Sequence, residues 1–191
     1  EINNNFLTSI PKLIQNKKFY ELDKLSYPGW EVIFENYIPK MKFLGSGPAV
    51  NIYASKGCPY KCFYYCVYPL QQGRKLRIKS PQKVIDEMIY FHNKLKVKNF
   101  IFRDPVFSLN REHTLKLCEK LIDHKIKFNI CIETHLKNID NELAKLMKRA
   151  GIKLIYVGIE TSDENVKTNV NRSSENNNLQ IEKIKFLQNI G

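Results

Sequence analysis

The sequence predicts an α/β domain built on parallel strands. Two observations carry that reading. From residue 49 onward, short apolar runs and amphipathic helical stretches alternate four times. Each cysteine-bearing or acidic cluster, moreover, follows directly on one of the apolar runs. Strands joined through helices run parallel with right-handed crossovers and are covered on both faces. In such sheets the chemistry collects at the carboxyl ends of the strands.

Taken in order, residues 1–46 read as a mostly irregular connector. A short helix is expected near 12–16 or 30–36, and the aromatic residues there, including the only tryptophan, Trp30, need a surface to pack on. Ala49 to Ala54 is a first strand. Ser80-Pro81 supplies a cap and a first-turn proline for a helix over 82–95. Residues 99–102 form a short apolar strand, 111–124 a helix, and 127–132 alternate as a third strand. A helix over 141–150 is closed by Gly151, and a fourth strand covers 154–158. The polar stretch 173–178 is a loop, and a last helix occupies 179–190.

A chain of 191 residues with 43% apolar content can bury one real core. It has no apolar run long enough to cross a bilayer and no secretory leader pattern, so the expected setting is reducing and cytoplasmic. A first residue other than Met, and an ending straight after a helical pattern, point to a piece of a longer polypeptide. The formal charge of +12 invites a nucleic-acid reading. The lysines, however, are scattered through amphipathic helices, which argues for a solvated basic surface instead. Only residues 74–79 make a tight basic run, suited to drawing in an anionic cofactor or substrate.

Cys58, Cys62 and Cys66, three of five cysteines, fall within nine residues just after the first strand. Thiolates are soft ligands that iron–sulfur clusters use. Three ligands are one too few for a four-iron cube, and the iron left open is free to bind a substrate. Three other readings compete. A helical stripe of core cysteines is opposed by Gly57 and Pro59. A structural zinc site wants a fourth Cys or His, and none lies between Lys56 and Arg74. Disulfides sit poorly with an odd cysteine count and no mark of secretion. Cys118 and Cys131 lie in apolar patterns and read as core. His92, His113 and His124 read as exposed helix residues.

Gly57-Cys58-Pro59-Tyr60-Lys61-Cys62, an aromatic directly before Cys66, and Val67-Tyr68-Pro69 resemble the cluster loop of the radical S-adenosylmethionine (radical SAM) enzymes. The similarity is greatest to the branch that carries a cobalamin-binding domain ahead of the radical domain. It continues through residues 77–87, 100–107 and 156–162 in the family's order. One departure is an extra residue between the second and third cysteines, where Phe63, Tyr64 and Tyr65 stand in place of two. An insertion in a loop costs little closure entropy, so a small bulge and a retained site are expected.

The resemblance implies a partial (βα)6 TIM-like open barrel, with about four of its units in 47–191 and 1–46 leading in from a cobalamin domain outside this chain. It also implies a 4Fe-4S cluster on Cys58, Cys62 and Cys66, with S-adenosylmethionine chelated to the open iron and reductively cleaved to a 5′-deoxyadenosyl radical. Tyr65 would then pack near adenine. Phe102 to Asp104 would meet the amino group of S-adenosylmethionine, with Asp104 accepting its N–H bonds. Glu133 and His135 would face ribose or carboxylate, and Glu160 the cofactor or substrate pocket. For Glu133 and Glu160 the structural alternative is capping of the following helix. Asn171-Arg172 resembles a family turn, with Ser173 where Gly is usual. The implied partners are a small-molecule or lipid substrate and an electron donor such as flavodoxin or ferredoxin, and the reaction would be methylation, cyclisation or rearrangement. The competing function is a non-catalytic iron–sulfur or zinc-binding module with a basic face toward RNA.

Overall fold

The computed structural model describes residues 19–34, 36, 47–62, 66–172 and 174–191. Its elements are α1 (Trp30–Ile33), β1 (Ala49–Ile52), β2 (Ser55–Lys56), α2 (Tyr68–Gln72), β3 (Arg77–Ile78), α3 (Pro81–Leu95) and β4 (Asn99–Phe102). There follow α4 (Arg111–Asp123), β5 (Asn129–Thr134), α5 (Asn141–Arg149), β6 (Ile152–Val157), α6 (Glu164–Asn169) and α7 (Asn177–Ile190).

The four long strands form one wholly parallel sheet in the order β1-β4-β5-β6. Val50 pairs with Phe100, Phe100 with Ile130, and Ile130 with Ile152, so the strands rise in step and their carboxyl ends share one edge. The expected α/β architecture with four βα units is what the chain adopts.

Local sequence accounts for the helix ends. The Ser80 hydroxyl accepts from Lys83 N at 3.2 Å with Pro81 next in line, Asn110 Oδ1 accepts from His113 N at 3.0 Å, and Asp140 Oδ1 accepts from Leu143 N at 2.8 Å. Each such cap contributes about 1 kcal/mol. Gly151 closes α5 at φ +94, where a Cβ would stand 2.3 Å from Phe128 O. Only glycine fits there.

The core lies between the sheet and helices α3, α4 and α5, where Ile52, Met88, Phe91, Phe100, Phe102, Leu117, Ile130, Ile132, Leu143 and Met147 are fully buried. The described part of the leading segment packs on this layer. Trp30 Nε1 donates to Asn51 O at 2.9 Å, Tyr27 lies 5.2 Å from the Tyr90 ring, and Asp23 Oδ1 accepts from Ser80 N at 2.7 Å. The helix expected at 30–36 is the short α1, whereas the alternative at 12–16 lies outside the described residues.

Three details depart from the sequence reading. β5 runs two residues past the predicted end and β6 starts at Ile152, two earlier, so Glu133 is a strand residue paired with Tyr156. The ribbon β2–β3 and the short helices α2 and α6 are too brief to show a period. His113 is buried, its Nε2 2.7 Å from Lys79 O, because the backbone leaving β3 crosses the start of α4. Among the described residues, no helix is long and apolar enough to cross a membrane.

Candidate functional site

The loop after β1 is held by its backbone. Gly57 N donates to Gln72 Oε1 at 3.1 Å, and Cys58 N to Gly73 O at 3.1 Å. At Gly57, φ is +93 and a Cβ would sit 2.1 Å from Lys75 O, so any side chain would drive the two arms of the loop apart. The β2–β3 pairing of Ser55 with Ile78 and Lys56 with Arg77 fastens the base of the same loop.

This clamp delivers all three cysteines, unpaired, to one cavity of about 270 Å³ at the carboxyl edge of the sheet. Cys58 is buried, whereas Cys62 and Cys66 are half-buried. Burial pushes the Cys58 thiol up, as do the two neighbouring thiols, while the Tyr60 N–H and the Arg74 charge pull it down. Facing the sulfurs across the cavity are Glu133 and His135 from β5 and its exit, Gly158 and Glu160 from the exit of β6, and Arg172 beyond α6. Tyr68 OH donates to Glu133 Oε2 at 3.4 Å, and burial, with the Glu133 charge behind it, raises the Tyr68 phenol. Tyr60 meets the His135 ring edge-on at 5.6 Å, and Lys137 Nζ stands 4.2 Å over the Tyr60 ring.

Among the described residues, no three His, Cys, Asp or Glu side chains converge on a point where one metal ion would sit. A zinc ion needs thiolates about 2.3 Å from a common centre. A cube takes each thiolate at its own corner, and three free sulfurs around one roomy cavity suit that demand.

The side chains predicted for the site separate into two groups. Glu133, His135 and Glu160 line the cavity with the cysteines. Neither glutamate caps a helix, because Asp140 caps α5 and Asp163 caps α6. Phe102 and Asp104 do not line it. Phe102 is 1% exposed and packs edge-to-face on Phe107 at 5.0 Å, since its place in β4 points its ring into the helix-covered layer. Asp104 turns back under the cysteine loop, where Oδ2 accepts from Ala54 N at 3.1 Å and Oδ1 from the Ser55 hydroxyl at 2.6 Å. Full burial raises its carboxyl to about 6 against those bonds. Through these contacts Asp104 ties β4 to the start of the loop. Tyr65 lies outside the described residues, as do Phe63 and Tyr64 beside it. Cys118 and Cys131 are core, their thiols pushed up by burial to about 12 and about 11.

Arg172, read from sequence only as part of a turn, lines the same cavity. Its Nη1 lies 4.0 Å from Cys62 Sγ, Nη2 bonds Gly158 O, and Nη2 is 3.8 Å from Glu160 Oε1. No local pattern marks an arginine that reaches across 110 residues. A second, larger groove of about 350 Å³ runs between β6, α5 and α7, but its lining is aliphatic apart from Lys148, Lys153 and Gln188. Chemistry therefore assigns the site to the smaller cavity.

Comparison with known proteins agrees with this fold. An uncharacterised methyltransferase of Pyrococcus horikoshii is 26% identical over 155 residues, covering 81% of this chain and 31% of that protein. The anaerobic magnesium-protoporphyrin IX monomethyl ester cyclase of Cereibacter sphaeroides is 31% identical over 140 residues, covering 71% of this chain and 22% of the cyclase. The fold matches the radical S-adenosylmethionine methyltransferase TsrM from Kitasatospora setae with a TM-score of 0.66 at 18% identity, covering 75% of this chain and 28% of that one. The cobalamin-dependent S-adenosylmethionine radical enzyme OxsB matches with a TM-score of 0.65 at 15% identity, over 75% of this chain and 22% of that one. The chain thus spans about a third or less of the length of these relatives. The profile of the Radical SAM superfamily matches residues 52–191, from the first strand through the last helix, and the chain belongs to that superfamily.

Proposed function

We propose that residues 47–191 are the core of a radical SAM enzyme that binds a 4Fe-4S cluster through Cys58, Cys62 and Cys66 and reductively cleaves S-adenosylmethionine. The observation that carries this reading is the delivery of three unpaired cysteines to one cavity at the carboxyl edge of a parallel sheet, opposite Arg172, Glu160, Glu133 and His135. When bound, the cluster supplies one electron to the sulfonium. The protein's part is to hold and shield the reactants. Arg172 offers a buried guanidinium to the amino-acid carboxylate of S-adenosylmethionine, and the Glu133 carboxylate, held by the Tyr68 phenol, faces the same cavity as a hydrogen-bond acceptor for a hydroxyl.

On this reading residues 1–46 are the connector from a cobalamin-binding domain, and cobalamin is supplied from outside the described fold. Methylation or cyclisation of a small molecule or lipid is the reaction class the relatives' names support, with a flavodoxin- or ferredoxin-type protein as electron donor.

Anaerobic reconstitution with iron and sulfide tests this. About four irons per chain, with methionine and 5′-deoxyadenosine formed from S-adenosylmethionine under reduction, is the expected result. Tight zinc uptake without cleavage would instead favour the non-catalytic module with an RNA-contacting face.

A further inference from the structure

We propose that Arg172 is a positioning residue for the cluster site, donating an Nη1–H to the Cys62 sulfur and thereby raising the reduction potential of the iron–sulfur group that this sulfur ligates. The inference rests on the cluster assignment above and goes beyond it.

The arginine is built into place. Asn171, just before it, has φ 52, and Glu160, beside it, has φ 66; both are left-handed conformations that cost a non-glycine residue stability. Arg172 N donates to Lys167 O at 2.8 Å and closes α6 on the cavity side. At Gly158 a Cβ would stand 2.4 Å from Glu160 Oε1 and 3.1 Å from Arg172 Nη2, so the absence of a side chain there is what lets the guanidinium settle on the Gly158 carbonyl. From that anchor Nη1 reaches Cys62 at 4.0 Å, while Nε is buried with no hydrogen-bond partner.

The side chain is only 9% exposed, so water screens its charge little. Glu160 lies 3.8 Å from Nη2, on the far side of the fork from the sulfur, and at 43% exposure its opposing charge is partly screened. An N–H bond to a ligating sulfur draws density off the thiolate and favours the state with one more electron. Lys137 is another cation that acts on Cys62, but its ammonium sits over the Tyr60 ring.

The test is a one-electron titration of the reconstituted protein with dithionite and mediators, followed by EPR, in the absence of S-adenosylmethionine. R172Q is expected to keep its iron and move the midpoint to more negative potential by about tenfold in the reduction equilibrium, about 59 mV for one electron. K137Q, which removes a charge but leaves the guanidinium in place, is expected to move it less. An unmoved midpoint in iron-loaded R172Q overturns the proposal, even where S-adenosylmethionine binding weakens, because Arg172 then serves the cosubstrate alone. A shift as large in K137Q overturns the hydrogen-bond assignment. Should R172Q lose its iron, R172K keeps a cation but is too short to carry an N–H to Cys62 from the same backbone position, and the same titration applies: a negative shift supports the proposal and an unmoved midpoint overturns it. Wild-type protein that takes up no iron sinks the cluster assignment along with this inference.

Discussion

Asp104 gives the most quantitative prediction. Its carboxyl is fully buried and raised from 3.8 to about 6 by desolvation, which the bonds from Ser55 and Ala54 only partly offset. A raised carboxyl binds its proton more tightly in the folded state. Its contribution to stability is therefore complete below the unfolded value of 3.8 and is lost as pH climbs through about 6. The shift of about 2 units corresponds to about 3 kcal/mol in full, of which about 1.4 kcal/mol falls between about pH 5 and about pH 7.5.

D104N removes the titration and keeps both bonds, since the amide oxygen accepts from Ala54 N and the Ser55 hydroxyl turns to accept from the amide NH2. In urea denaturation of the reduced, metal-free chain, wild type is expected to gain about 1.4 kcal/mol on D104N as pH falls from about 7.5 to about 5. D104A leaves two buried donors without an acceptor and is expected to cost about 2 to 4 kcal/mol. A wild-type-minus-D104N difference that stays flat across that window would refute the placement of a buried, charged carboxylate beneath the cysteine loop.

Two further positions probe the base of the cysteine loop and the buried ion pair near it. G57A combines a positive φ with a backbone collision at Lys75 O, so it is expected to lower stability by more than about 2 kcal/mol and to cut iron uptake on reconstitution, read by iron content per folded chain. Lys79 is ion-paired to the fully buried Glu87, whose carboxyl is raised by burial against the pull of that lysine. K79M is expected to cost about 3 to 5 kcal/mol at neutral pH and to regain part of it as pH falls, whereas K79M/E87L recovers most of the loss. Equal chemical-denaturation midpoints for K79M and wild type would show that the pair is not buried.

Local pattern made most of the fold legible. Ser80-Pro81, Gly151 and the apolar run over 99–102 act within a few residues, so the helix start, the helix stop and β4 fall where the sequence places them. The cysteine loop was legible for the same reason: Gly57 and its neighbours encode a turn, and the turn follows a strand. His113 was misread because its helical spacing carries no trace of the β3 exit that covers it.

By itself, then, the sequence determined the alternation of strands and helices, the parallel sheet that alternation requires, and the presence of three thiols at the end of β1. The tertiary structure alone decided which side chains meet those thiols. The direction of a strand residue depends on register, and register is set across the sheet: it turned Phe102 inward and kept Glu133 on the cavity, while Asp104, past the end of β4, is held by Ala54 N and the Ser55 hydroxyl. Arg172 meets Cys62 across 110 residues because β6 lies in the same sheet as β1 and both end at one edge. Contacts of that span come from the packing of whole elements, and no neighbouring residue encodes them.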